Sequence, residues 1–304
     1  MDGILAVWKP EGWTSHDVVA KVRRILKMKR IGHAGTLDPM VTGVLPLCLG
    51  RATRVVEYIQ ERPKAYEAVL QLGIATDTED ITGTVIERQS SIAVSEDDIR
   101  EALERFIGEI EQVPPMYSAI KIDGKRLYEL AREGKTVERK SRKVTIHQIE
   151  LIEAQLKQEQ PKITFSVVCS KGTYIRTLCV DIGKALGVPA TMAHLTRTMS
   201  GGITKESCLS LEQIEQLQLA GELSEHLIEA DHAITHLKQA VVPTAIGRLA
   251  LLGQKVGLEH ADMNPDDMKD GQFVRLYNVE QTFLGIYQID TSLAVIKPVK
   301  VFST

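Results

Sequence analysis

The 304-residue chain has no run of 18 or more apolar residues, so a membrane-spanning helix is not expected. Its first residues, Met1-Asp2-Gly3-Ile4-Leu5, lack a basic stretch followed by an apolar core, and no secretory signal is read there. Cys48, Cys169, Cys179 and Cys208 form no Cys-x-x-Cys pair, which argues against a zinc finger or a redox motif. Reduced thiols in a cytoplasmic protein are expected. No Gly-Lys-Ser/Thr follows a glycine cluster and no Gly-x-Gly-x-x-Gly occurs, which excludes the common phosphate-loop and dinucleotide fingerprints. Internal repeats and low-complexity segments are missing too.

A large charge of one sign is also lacking, the net value being −3. The sum hides an uneven distribution. Residues 21–30 carry six basic side chains and no acidic one, and residues 121–143 carry nine basic and four acidic ones. Residues 211–232 carry six carboxylates and no Lys or Arg. A phosphate backbone would be drawn to the basic part, although solvated helix faces give the same pattern. The composition, 43% hydrophobic and 25% charged, is that of a globular protein.

Periodicity gives a coarse map. Residues 4–7 read as a short buried strand. A helix follows Ser15, with Val18, Val22 and Ile25 on one face. Residues 30–54 are rich in Gly, Thr and Pro without a regular apolar period and read as a structured loop or series of turns. Residues 66–73, 143–153 and 162–169 alternate as strands. Ser95 with Asp98 and Ser210 with Gln213 mark helix starts, and Thr173 opens another helix ended by Gly187 and Pro189. Residues 114–142 read as an exposed basic insertion. Short strands near 273–276, 283–287 and 293–297 form a small β-rich module. The expected class is α+β: a mixed, largely antiparallel sheet domain over 1–238 with that insertion, and a β-rich domain over 239–304.

The densest chemistry lies between Gly32 and Arg54. Gly35 permits a tight turn that puts His33 and Asp38 on one side. Pro39 biases Asp38 towards an extended backbone from which its carboxylate projects. These residues alone leave a nucleophile, a base, a metal ligand and a plain turn cap all open.

The segment Gly32-His33-x-Gly35-x-Leu37-Asp38-Pro39, continued by Thr42-Gly43-x-Leu45-Pro46, resembles the signature of the TruB family of pseudouridine synthases. Further motifs follow in order. They are Lys9-Pro10 with Gly12 and Ser15, Lys64-x-Tyr66, and Asp77-Thr78-x-Asp80. Then come Pro115-Met116-Tyr117-Ser118-Ala119-x-Lys121 with Gly124-Lys125, Leu127-Tyr128 and Ala131-Arg132, and finally Ser170-Lys171-Gly172-Thr173-Tyr174-Ile175-Arg176. The resemblance covers about residues 3 to 200. Near its end the family commonly has Leu-Arg-Arg where this chain reads Leu195-Thr196-Arg197, which puts a basic role at 196 in doubt.

The resemblance implies isomerisation of uridine to pseudouridine in the T-loop of tRNA, at conventional position 55. Asp38 would act at C6 of the uracil or at the sugar. Arg176 would be its charge partner, steadied by Asp80, and Tyr66 would stack on the base and carry a proton. His33, Tyr174 and Leu195 would line the pocket of a flipped nucleotide, and Lys9 would support the loop or contact a phosphate. Lys121, Lys125 and Arg126 would clasp the RNA stem-loop, and the C-terminal module would be a PUA-type barrel. No cofactor or metal is expected, because the reaction has no redox change and no group donor. A monomer without membrane association is expected. Two alternatives share the scaffold: a synthase that needs a guide RNA, and a non-catalytic tRNA-binding or RNA-folding protein.

Overall fold

The computed structural model describes residues 1–118, 120–122 and 124–303, with the backbone alone for residue 122. Ala119 of the insertion motif lies outside them. Among the described residues the largest sheet has nine strands. Its main path runs Gly3–Lys9, Thr42–Leu49, Ala190–Ser200, Lys64–Leu72, Lys162–Cys169, Arg142–Gln155 and Gly108–Gln112. Neighbours along it are antiparallel except Ala190–Ser200 with Thr42–Leu49, which pair in parallel at Thr196–Thr42 and Arg197–Gly43. The expected α+β class with a mixed, largely antiparallel sheet is what the chain forms.

Lys162–Cys169 alternates buried with half-buried residues and was legible by period. Thr42–Leu49 is not: seven of its eight residues are buried. Leu45, Leu47 and Leu49 pack one way, against Val18 and Val22 of helix Ser15–Leu26 and Leu211 and Ile214 of helix Leu211–Ala220. Val44 and Cys48 pack the other way, with Tyr58, Ile59 and Ile286. A strand covered on both faces loses its alternation. Residues 30–54 were expected to be loop and turns; they hold this central strand and the short strand Ile31–His33, and only the stretch between the two is loop. Each leucine so covered contributes roughly 1.5–3 kcal/mol of burial.

Helix Ser15–Leu26 is capped one residue earlier than expected. Thr14 is the N-cap, in a reciprocal box with Asp17. Ser15 is buried, and its hydroxyl accepts the Leu37 N–H at 2.9 Å. Helix Ile175–Ala185 begins two residues after Thr173. Its N-cap is Tyr174, whose N–H and carbonyl are both bound by the Gln112 amide. The Ser95–Asp98 and Ser210–Gln213 caps form as read.

The second sheet has five strands, in the order Lys238–Val242, Phe273–Asn278, Phe283–Asp290, Val295–Val301 and Val256–Gly257. Its first pair is parallel and the rest antiparallel. Leu293 and Ala294, expected in a strand, lie in the turn before Val295. This β-rich unit has its own core around Val274, Leu276 and Tyr287. It also meets the large sheet's flank, where Phe273 packs edge-on to Tyr58 and Lys300 pairs with Glu57. No helix among the described residues is long and apolar enough to cross a membrane.

Candidate active site

The loop after strand Ile31–His33 is tied down on its inner side. Arg197 donates to the carbonyls of Gly35 and Thr36, Ser15 accepts from Leu37 N–H, and Lys9 donates to the carbonyl of Pro39 at 3.0 Å. Gly12 N–H also donates to Pro39. Leu37 and Val41 turn into the core with Tyr66, Ile175 and Leu195. Between them the Asp38 side chain stays half-exposed, at 52%.

Oδ2 of Asp38 lies 3.1 Å from Nη2 of Arg176, whose own side chain is only 8% exposed. That guanidinium donates to the Thr78 and Tyr117 carbonyls, and Asp80 stands 3.7 Å away on its far side. Asp80 is itself fixed by Thr78 and by Thr82. The Asp38 loop, the turn holding Thr78 and Asp80, the insertion and the helix therefore converge on one arginine. A planar fork suits this set of carbonyl and carboxylate acceptors.

Tyr66 is buried in the same cluster, facing Arg197 across the sheet. Burial pushes its phenol above the ordinary value, while the Arg197 charge opposes that push. Lys9 is fully buried and also donates to the carbonyls of Pro10 and Trp13. Burial lowers its amine to about 8, with Asp38 pulling the other way. Lys64, likewise buried, sits at about 8 for the same reason.

His33 packs edge-on against His16, with ring centroids 5.4 Å apart, and its imidazole is held below the usual range by burial. Tyr174 is half-buried at the helix start, and Leu195 is buried beside Tyr66. Lys121, Lys125 and Arg126 are exposed on the hairpin that precedes helix Leu127–Arg132. They stand in the insertion rather than at Asp38, and Lys125 pairs with Glu133. The Glu229, Asp231 and His232 side chains come within metal-binding reach of one another, and Asp231 accepts from Tyr277.

A carboxylate beside a buried guanidinium, with a buried phenol in the same cluster, equips one site for nucleophilic attack and proton transfer. The N-terminal domain of TruB family pseudouridylate synthase matches residues 23–175. The chain belongs to the TruB family. The tRNA pseudouridylate synthase B C-terminal domain matches residues 176–244. A protein named tRNA pseudouridine synthase B from Oceanobacillus iheyensis is 44% identical over 306 residues, covering 100% of this chain and 98% of the relative. One of the same name from Staphylococcus aureus is 46% identical over 307 residues, covering 99% of each. Among solved structures, a chain of a Cbf5-Nop10-Gar1 complex superposes with a TM-score of 0.77 at 28% identity, covering 99% of this chain and 84% of its own.

Further groups to which the motifs assigned no role also build this TruB-family site. Arg197 holds the loop, Gln112 holds Tyr174, and the Thr78 and Tyr117 carbonyls hold Arg176. Arg197 stood in plain view as a charged residue at the end of the Leu195-Thr196-Arg197 match. The departure at Thr196 falls on the other side of that strand, where its hydroxyl bonds Thr42 and His194. Backbone acceptors leave no trace in residue identity, so the two carbonyls had no signal.

Proposed function

We propose that this TruB-family enzyme converts one uridine of the tRNA T-loop, at conventional position 55, to pseudouridine, with Asp38 as the reacting carboxylate. The isomerisation itself, uridine to pseudouridine in tRNA, follows from the family and from relatives 44–49% identical that carry the name tRNA pseudouridine synthase B. The observation that carries the site assignment is the Asp38–Arg176 pair at the tip of an anchored loop.

The C1′–N1 bond breaks, the uracil turns, and C1′ joins C5. C5 then gives up a proton and N1 gains one, so composition is unchanged. Asp38 acts by adding to C6 or by attacking C1′, and both routes need it ionised. The adjacent Arg176 cation favours that form. Asp80 steadies Arg176. Tyr66 stacks on the base and carries the late proton. The target must leave its loop stack first. Tyr174 and Leu195 form the apolar walls around it, and His33 fills the space it vacates or stacks on its neighbour. Lys9 keeps Pro39, and hence Asp38, in place.

Lys121, Lys125 and Arg126 clasp the stem-loop through phosphates, a shape-based mode suited to RNA. Residues 239–304 act as a separate PUA-type RNA-binding domain, 1–238 being catalytic. Support for that division is the five-stranded sheet with its own core. The protein works as a cytoplasmic monomer.

The test is incubation with an unmodified tRNA transcript, without guide RNA or protein partners, followed by pseudouridine mapping. One product at the T-loop uridine is expected. Product elsewhere removes the T-loop assignment, and product only with a guide RNA moves the enzyme to the guide-dependent class.

A further inference from the structure

Arg197 heads the fully buried side chains by size, at 1% exposure. A buried cation without a counter-charge is costly. Among the described residues its hydrogen-bond partners are the carbonyls of Val44 at 2.8 Å, Gly35 at 3.2 Å and Thr36 at 3.4 Å, and no carboxylate. In the sheet it sits opposite Gly43 on one side and Tyr66 on the other. Its strand thus lies between the strand after the Asp38 loop and the strand carrying Tyr66, and Arg197 stands at the seam with both.

We propose that Arg197 is a positioning residue of the pseudouridine reaction: its guanidinium holds the Asp38 loop in register with Tyr66, its cross-strand neighbour, so that Asp38 and Tyr66 meet the same base. This rests on the function proposed above.

The seam is shaped around Arg197. Gly43 has φ +117°, and a Cβ there would stand 2.2 Å from the Arg197 carbonyl oxygen, so only glycine lets the strands meet. Gly35 has φ +122°, and its Cβ would lie 3.4 Å from Nη1 of Arg197. The loop carbonyls thus rest directly on the cation. The positive charge also holds the phenol lower than burial alone would. A lysine would keep the charge, but its single ammonium lacks the planar fork that spans the Val44, Gly35 and Thr36 carbonyls together.

The experiment compares parent, Arg197→Lys, Tyr66→Phe and the double variant by thermal melting, tRNA affinity and single-turnover rate against pH. The parent is assayed first; if it forms no pseudouridine, the proposed function fails and not this inference alone. With an active parent, Arg197→Lys is expected to bind tRNA as the parent does and to react about 100-fold more slowly, the scale of a misplacement near 1 Å. Its effect in the Tyr66→Phe background is expected to be smaller than alone, because the two residues act together. A parent-like rate for Arg197→Lys, or full additivity with Tyr66→Phe, overturns the inference. Should Arg197→Lys not fold, Gly35→Ala disturbs the same contact from the loop side. Loss of rate with intact tRNA affinity is expected there, and a parent-like rate overturns the inference.

Discussion

Oδ2 of Asp38 lies 3.1 Å from Nη2 of Arg176, and the same nitrogen donates to the Tyr117 carbonyl at 2.7 Å. One guanidinium thus joins the proposed nucleophile to the base of the basic insertion. Arg176 is positioned by backbone acceptors from two segments, Thr78 and Tyr117, as much as by the carboxylates.

Replacing Arg176 with lysine keeps the charge and loses the fork. A single-turnover rate about 100-fold lower is expected at saturating tRNA, with little change in Kd. A rate equal to the parent's would show that charge alone suffices at this position.

Neutralising Lys121, Lys125 and Arg126 together is expected to weaken tRNA binding and flatten its salt dependence. For every phosphate that the variant no longer neutralises, the slope of log K against log salt falls by about 0.7–0.9. Filter binding across a salt series measures this. An unchanged Kd and slope would remove the clasp. Lys125 must exchange Glu133 for phosphate, so its share is expected to be the smallest.

The buried amines and thiols set opposite slopes of stability with pH. Lys9 and Lys64 sit at about 8, below their free value of 10.5, so the folded chain sheds those protons before the unfolded one does. Their contribution is present in full above pH 10.5 and is lost as pH falls towards and through 8. Burial raises Cys169 to about 11, Cys48 and Cys208 to about 12, and Cys179 further, from a free value of 9.0. Their contribution is full below pH 9 and is lost as pH rises above it. Denaturant unfolding under reducing conditions should therefore show stability rising from about pH 8 to 9 and falling beyond. A fall across that first interval would contradict the burial of the two amines.

Legibility followed exposure. The Ser210–Gln213 cap and the alternating Lys162–Cys169 strand could be read because local spacing alone defines them. Thr42–Leu49 escaped because both of its faces are covered, so no period survives, and Pro46 argued further against a strand. Ser15 matched a cap pattern but spends its hydroxyl on Leu37, a partner 22 residues away that spacing cannot show. Asp38, Tyr66 and Arg176 were found by motif resemblance. Their convergence was not readable from residue types, because it depends on the carbonyls of Gly35, Thr36, Thr78 and Tyr117 and on the buried Arg197.

The central claim is that Asp38 performs the chemistry while other groups hold the RNA. The most direct measurement compares the parent with Asp38→Ala and Asp38→Asn on an unmodified tRNA transcript, with pseudouridine mapping and Kd determined side by side. Both variants are predicted to bind tRNA like the parent and to form no product, losing most of the acceleration of about 10⁶-fold or more that enzymes supply. Normal turnover at the T-loop uridine by either variant would contradict it.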